Sequence, residues 1–174
     1  MGVELIFQIV ATIGVGATAI MAYVLVKTLR SNQKGLLVSN FSVITNYTGD
    51  ETTRQNRRII YNSTKQMSEL LQKYPNLDDK LKDLNESAKQ ISAIYNRVGF
   101  LLKQDSKLEE QILDYHGFTI GIMWKMIEPL HDTWKEKDKT LDYKEFKNIG
   151  EKGYVKFSTD IDKFIQNKKQ GESS

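Results

Sequence analysis

The chain has 174 residues, with 25 Lys and Arg against 22 Asp and Glu and no cysteine. This length suits one domain of ordinary size, and an apolar fraction of 40% is enough to build a core. The lack of cysteine excludes disulfide scaffolds, cysteine-ligated zinc, iron–sulfur clusters and thiol catalysis. A net charge of +3 indicates neither a disordered acidic chain nor a nucleic-acid-binding protein.

The amino-terminal segment has the composition of a membrane span. Residues 5–26 carry no charge, and roughly 20 such residues in a helix cross a hydrocarbon core about 30 Å thick. A signal peptide would need a basic start and a shorter apolar run. A fully buried core helix is the alternative, but the abrupt change to charged residues after Val26 favours a span. We therefore predict a transmembrane anchor over residues 1–30.

The charges that flank this span predict its orientation. Lys27, Arg30 and Lys34 follow it, whereas Glu4 is the one charged side chain before it. The positive-inside bias places the protein in the cell membrane with its N-terminus outside and its C-terminal domain in the cytoplasm. Four Asn-x-Ser/Thr triplets favour the opposite orientation, because they are glycosylated only outside the cytoplasm. They begin at Asn40, Asn46, Asn62 and Asn85.

Small residues recur within the span at every fourth position, at Gly14, Thr18 and Ala22. This spacing places them on one helix face and lets a second helix approach closely. Because glycine and alanine are common in any span, the pattern alone does not name a partner. We expect this face to pack against another membrane helix, either of a partner subunit or of a second copy.

After a connector over residues 31–50, the helical signals become regular. Asp50 is placed to cap a helix over 53–74, which Pro75 ends. The clearest element follows, with apolar residues alternating at spacings of four and three. These residues are Leu77, Leu81, Leu84, Ala88, Ile91, Tyr95, Val98 and Leu102.

A further helix is predicted to begin at a cap formed by Asp105 or Ser106, and Pro129 should kink or end it. Its apolar stripe is Leu108, Ile112, Tyr115, Thr119, Ile122 and Met126. Thr140 can cap a short helix that Gly150 and Gly153 interrupt, and residues 166–174 form a disordered tail. Strand signals are nearly absent. The fold class is therefore all-α, with one N-terminal transmembrane helix followed by a small antiparallel helical bundle over 51–165.

Within residues 91–146, a helix with Asn96, Gly99 and Leu102 precedes a short polar turn, and Trp124 and Phe146 follow. This order of features resembles the DUF 4760 family, prokaryotic membrane-anchored helical domains without an assigned activity. The chain departs from the family where Arg commonly follows the proline segment and where Phe-Glu stands near the end. The resemblance implies a helical fold and a membrane anchor, and it implies no activity, cofactor or catalytic residue.

The chemistry-bearing patterns are few. Glu128 and His131 have the Glu-x-x-His spacing of carboxylate-bridged metal bundles, but His116 lacks the matching Glu and Pro129 disturbs the turn. No nucleophile elbow, Walker loop or dinucleotide fingerprint occurs. The aromatic residues fit a core better than a ligand box. We predict no catalytic residue, no metal ligand and no cofactor.

Basic residues are in excess near the predicted span, where residues 27–65 hold seven basic and two acidic side chains. Arg54, Arg57 and Arg58 stand at i, i+3 and i+4 and would share one helix face. Anionic lipid headgroups would attract them if the chain folds back after Gly35, and a partner protein or an ordinary solvated face is the alternative. The face lacks the interleaved aromatic residues of a nucleic-acid site.

These observations favour a membrane-anchored helical protein-interaction module without catalytic activity. Its expected partners are membrane lipids and other membrane protein subunits, or a second copy of the chain, and no nucleic acid. The alternative is a small accessory or structural subunit of a larger multi-subunit membrane enzyme complex, with its span packed on partner helices. A metal-dependent enzyme using Glu128 and His131 is the third hypothesis.

Overall fold

The structure, a computed structural model, describes residues 2–137 and 142–171, and it contains helices and no strand in these ranges. The helices are α1 Gly2–Gly49, α2 Glu51–Tyr61, α3 Thr64–Lys73, α4 Asp79–Leu102, α5 Ser106–Lys137 and α6 Lys144–Gly171. Contacts divide the chain into two compact units, Met1–Asn40 and Phe41–Ser174. The all-α prediction is confirmed for the described residues.

Helix α1 is longer than expected, because it continues from Gly2 through the predicted connector at 31–50 and ends at Gly49. It continues through Gly35 without a break. Among the residues whose side chains the structure describes, no helix has an apolar stretch long enough to cross a membrane. The predicted span at 5–26 lies for the most part outside those residues.

Two short helices replace the single helix predicted over 53–74. Asp50 caps α2 as predicted, since its carboxylate accepts hydrogen bonds from the backbone N–H groups of Thr52 and Thr53. The chain leaves the helix at Asn62 and Ser63 and starts again at Thr64. Asn and Ser have low helix propensity, a signal that the apolar spacing concealed.

Helix α4 forms the predicted seam. Asp78 caps it by accepting a 3.0 Å hydrogen bond from the backbone N–H of Leu81. Of the eight seam residues, Leu77 is half-buried before the helix begins and the other seven are buried. The seam prediction is therefore confirmed, and α4 lies at the centre of the domain with contacts to α2, α3, α5 and α6.

Helix α5 begins at the predicted Asp105 cap and passes Pro129 without a new segment starting there. Tyr115, predicted to be in the stripe, is 76% exposed, so that assignment is wrong. The buried face passes through the half-buried His116 instead, and it then continues at spacings of four and three. Its later members are Ile120, Met123, Ile127, Leu130 and Trp134. Because His116 is polar, the apolar pattern of the sequence did not reveal this buried face. The predicted stripe residues Leu108, Ile112, Ile122 and Met126 are also buried, as expected.

Helix α6 does not break at Gly150 and Gly153, contrary to the prediction, and it bends at Phe157 instead (φ −125°, ψ 24°). The glycines allow α5 and α6 to approach each other closely. A Cβ at Gly153 would stand 2.5 Å from the carbonyl oxygen of Gly117, and one at Gly121 would stand 2.7 Å from the backbone N of Tyr154. Helix α6 extends to Gly171, through most of the predicted tail, and Thr140 lies outside the described residues.

Candidate functional site

The half-buried imidazole of His131 lies among aromatic rings from α5, from α6 and from Tyr143, which precedes α6. Ring centroids lie 4.9 Å away at Trp124, 5.1 Å at Tyr143, 5.5 Å at Trp134 and 5.8 Å at Phe146. Nε2 of His131 shares a 3.1 Å hydrogen bond with the hydroxyl of Ser92 on α4. The imidazole therefore joins α4, α5 and α6.

Side chains of α4 hold the aromatic rings in place. Oδ1 of Asn85 accepts a buried 2.9 Å hydrogen bond from Nε1 of Trp134. Oδ1 of Asn96 accepts hydrogen bonds of 2.9 and 3.1 Å from the backbone N–H groups of Glu145 and Phe146. These two N–H groups belong to the first turn of α6 and have no partner within the helix, so Asn96 fixes the start of α6 on α4.

Burial lowers the pKa of His131 to about 4, although the carboxylates of Asp132, Glu128 and Asp142 act in the opposite direction. The imidazole is therefore uncharged at neutral pH. A small polar cleft of about 120 Å³ opens beside it, and its lining includes three acidic and three basic side chains: Glu128, Asp132, Asp142, Lys135, Lys144 and Lys147. A neutral imidazole with one nitrogen engaged by Ser92 is suited to a structural hydrogen bond.

The described residues offer no third ligand to a metal site at Glu128 and His131. The Glu128 carboxylate accepts a 2.8 Å hydrogen bond from Nζ of Lys125 and forms an ion pair with it. Within residues 2–137 and 142–171, no group of three or more His, Asp or Glu side chains is placed to hold a metal ion. A carboxylate already paired with an ammonium and a single imidazole do not complete a metal site.

The three arginines of α2 have different environments. Arg54 is exposed and lies 3.6 Å from Glu51. Arg57 points inward, where Nη1 donates hydrogen bonds of 2.8 Å to the carbonyl oxygen of Thr48 and 3.1 Å to the hydroxyl of Tyr95. Arg58 is exposed beside a cleft. The prediction of three guanidiniums on one solvent face is therefore wrong for Arg57, since buried polar groups of the domain bind it.

Two other sequence predictions concern the small-residue face of the span and the glycosylation triplets. Gly14, Thr18 and Ala22 lie outside the residues whose side chains the structure describes. Of the four potential glycosylation sites, Asn85 is only 5% exposed and is bonded to Trp134, so the folded domain cannot carry a glycan there.

Spacing alone did not identify the His131 cluster. The available signal was the pair of polar residues Asn85 and Ser92 beside the apolar seam of α4, because polar side chains at buried helix positions need specific partners. Tyr143 gave no such signal, since it precedes α6 and belongs to no periodic pattern.

Comparison of the chain with protein-family models, curated proteins and solved structures finds no match. Four of the five residues on which the resemblance rests, Asn96, Gly99, Trp124 and Phe146, lie where α4, α5 and the first turn of α6 meet. Asn96 and Gly99 of α4 contact the first turn of α6, and Phe146 contacts Trp124 with ring centroids 5.4 Å apart. They form one packing junction.

Proposed function

We propose that the chain is a membrane-anchored helical module that acts through protein contacts at the membrane surface and has no catalytic activity of its own. The uncharged sequence at 5–26 supports an anchor, since it is long enough to cross a bilayer as a helix. Its partners are membrane lipids around the anchor and other membrane proteins. Membership of the DUF 4760 family is part of the same proposal, and it rests on the junction residues named above.

The observation that carries this proposal is the exposure of apolar side chains along α1. Eight large apolar side chains between residues 21 and 38 are more than 45% exposed. They are Met21, Tyr23, Val24, Leu25, Val26, Leu29, Leu36 and Val38. An exposed apolar surface of this extent is typical of a segment that contacts lipid or another protein.

We further propose that the C-terminal domain lies in the cytoplasm, on the basis of the three basic residues that follow the anchor. The burial of Asn85 supports this orientation, because it removes one of the four triplets that favoured the opposite one. A tag after Ser174 should resist protease added to intact cells and disappear once the membrane is permeabilised. Loss of the tag from intact cells would reverse the orientation.

The anchor itself is tested by membrane fractionation with an alkaline wash. The full chain should stay with the membrane. The double variant Val15→Lys and Ala19→Lys should be released, because each lysine near the bilayer centre costs about 2.5–3.5 kcal/mol. The matched control, Leu36→Lys with Val38→Lys, changes exposed positions beyond the span and should remain bound. Release of the unaltered chain by the wash would end the anchor proposal.

A role as an accessory subunit of a larger membrane complex is the second proposal, and the exposed apolar side chains of α1 favour it equally, since partner helices can cover them as lipid does. After mild extraction, an obligate subunit should migrate with a large complex on native gels. Gly14→Leu should disrupt that complex, whereas Gly16→Leu, about 200° away around the helix, should not. Migration as a small species would favour the independent module.

A further inference from the structure

The part of α1 that follows the predicted span carries a seven-residue repeat. From Val26 to Tyr47, positions separated alternately by three and four residues lie along one face of the continuous helix Gly2–Gly49. These positions, here called the α1 seam, are Val26, Leu29, Gln33, Leu36, Asn40, Val43 and Tyr47. A seam sustained over about three heptads is typical of a helix that packs along a second helix.

The large apolar members of the α1 seam are exposed. They are Val26, Leu29, Leu36, Val43 and Tyr47. The domain covers a different side of the last turns of α1, where Ile44 and Thr48 are buried and the ring of Phe41 lies 6.5 Å from that of Tyr115. Folding of the domain therefore leaves Val43 and Tyr47 available to a second helix.

The residue types in the α1 seam are those of a parallel two-stranded coiled coil. Val26 stands at an a position, and Leu29 and Leu36 stand at d positions. A β-branched residue at a with leucine at d favours two strands. Asn40 stands at another a position, where a polar residue fixes the register and the number of helices at a cost in stability.

The charges of this segment are compatible with two identical helices side by side. Lys27 and Lys34 stand at b positions and Arg30 at an e position, so no charged residue falls at a or d. In a parallel pair each e position faces a g position of the partner helix, and the g position opposite Arg30 is the uncharged Leu25. Two copies therefore meet without like charges in contact, and the lack of cations within the seam gives an acidic partner helix no advantage over a second copy.

We propose that the chain forms a parallel homodimer through a coiled coil of α1 over residues 26–47. The apolar members of the two seams bury one another, and the paired Asn40 side chains fix the register. The dimer rests on the proposed role in protein contacts, and it names a second copy of the chain as the partner. Because the coiled coil follows the predicted span, failure to dimerise would leave the anchor proposal standing.

Cysteine cross-linking of the full chain in uncharged detergent tests the pairing, because the chain holds no cysteine of its own. Leu36→Cys stands at d and should give a disulfide-linked dimer under mild oxidation. The matched control Val38→Cys is at least as exposed but stands about 200° further around the helix, so it should not cross-link. Equal cross-linking of the two variants, or none at Leu36→Cys, would overturn the proposal.

Two further cysteines distinguish a parallel pair from an antiparallel one. Leu29→Cys and Val43→Cys should cross-link as Leu36→Cys does, because each d position of a parallel pair lies beside the same position of its partner. An antiparallel pair brings at most one of these positions beside its own copy. A cross-link at only one of the three would therefore contradict the proposal.

Sedimentation equilibrium of the full chain in density-matched uncharged detergent measures the association without a covalent bond. Leu36→Asp should raise the dissociation constant of the dimer at least about tenfold, because it places two carboxylates in the contact. Val38→Asp should leave the dissociation constant unchanged. An unaltered constant for Leu36→Asp would overturn the dimer, even where the chain stays with the membrane in the alkaline wash.

Discussion

Residues 21–38 of α1 and the helices of the domain contain similar apolar side chains but place them in opposite environments. In α4 and α5, Ile91, Leu102 and Ile120 are completely buried. In α1, Met21 is 72% exposed and Leu36 is 62% exposed. The two regions therefore differ in how their apolar residues are arranged along the helix, since hydrophobic composition alone would have predicted the same burial.

The arrangement explains the contrast. Apolar residues of α4 recur at spacings of four and three and form one stripe that the other helices of the domain cover. In α1, four consecutive apolar side chains at 23–26 point around most of the helix circumference, and all are exposed. A helix that is apolar all round is covered only by a surrounding medium such as lipid, or by several partner helices.

The largest expected effect is a loss of unfolding free energy, and it tests this contrast directly. Ile91→Ala should lower the free energy of unfolding of the domain by about 2–5 kcal/mol, because it removes a fully buried side chain and leaves a cavity. Val24→Ala, a similar deletion at a 53% exposed site of α1, should change it by less than about 0.5 kcal/mol. Denaturant unfolding of the full chain in uncharged detergent, followed by tryptophan fluorescence, measures both. Similar values would show that the two regions do not differ.

A smaller loss of stability is expected at a glycine, and it tests the same contrast between α1 and the domain. Gly150→Ala would bring a Cβ to 2.5 Å from Cγ of Trp124, so it should destabilise the domain by about 1–3 kcal/mol. Gly35→Ala in α1 meets no atom within 4 Å and should cost nothing, since alanine is the better helix former. The same unfolding measurement compares them. A neutral Gly150→Ala would mean that α5 and α6 are farther apart than the structure places them.

The helical class and the main seam could be predicted because they depend on local periodicity. The α4 stripe and the caps at Asp50 and Asp105 follow from signals within a few residues of each other. The two parts of the predicted helix at 53–74 and the path of the α5 face through His116 depend on side chains that interrupt the apolar pattern. Because such interruptions do not recur at a fixed spacing, periodicity cannot predict them.

The candidate sites could be predicted much less well, because their parts are distant in sequence. His131 meets Ser92 across 39 positions, and Asn96 meets Phe146 across 50. Helical spacing correctly placed Arg57 beside Arg54 and Arg58, but it could not show that Thr48 and Tyr95 would draw the guanidinium inward. Glycines 150 and 153 were misread for the same reason, since a break and a close helix approach have the same local signal.

The smallest effect concerns the acid response of the domain interior. Burial holds the pKa of His131 at about 4, below its ordinary value of 6.5. Between these two pH values His131 binds a proton in the unfolded chain and not in the folded domain. The free energy of unfolding therefore falls as the pH decreases through this window. This destabilisation is absent well above pH 6.5 and is complete below about pH 4.

Unfolding free energies at pH 7 and pH 5 therefore test whether the pKa of His131 is lowered in the folded domain. The unaltered chain should lose about 1–2 kcal/mol more than His131→Gln between these values, because the variant has no proton to gain at this site. His116, whose pKa burial also lowers, is present in both proteins and cancels in the comparison. Residues 21–38 of α1 contain Lys27, Arg30 and Lys34 and no acid or histidine, and they are identical in the two proteins. Equal losses in the two proteins would mean that folding does not lower the pKa of His131.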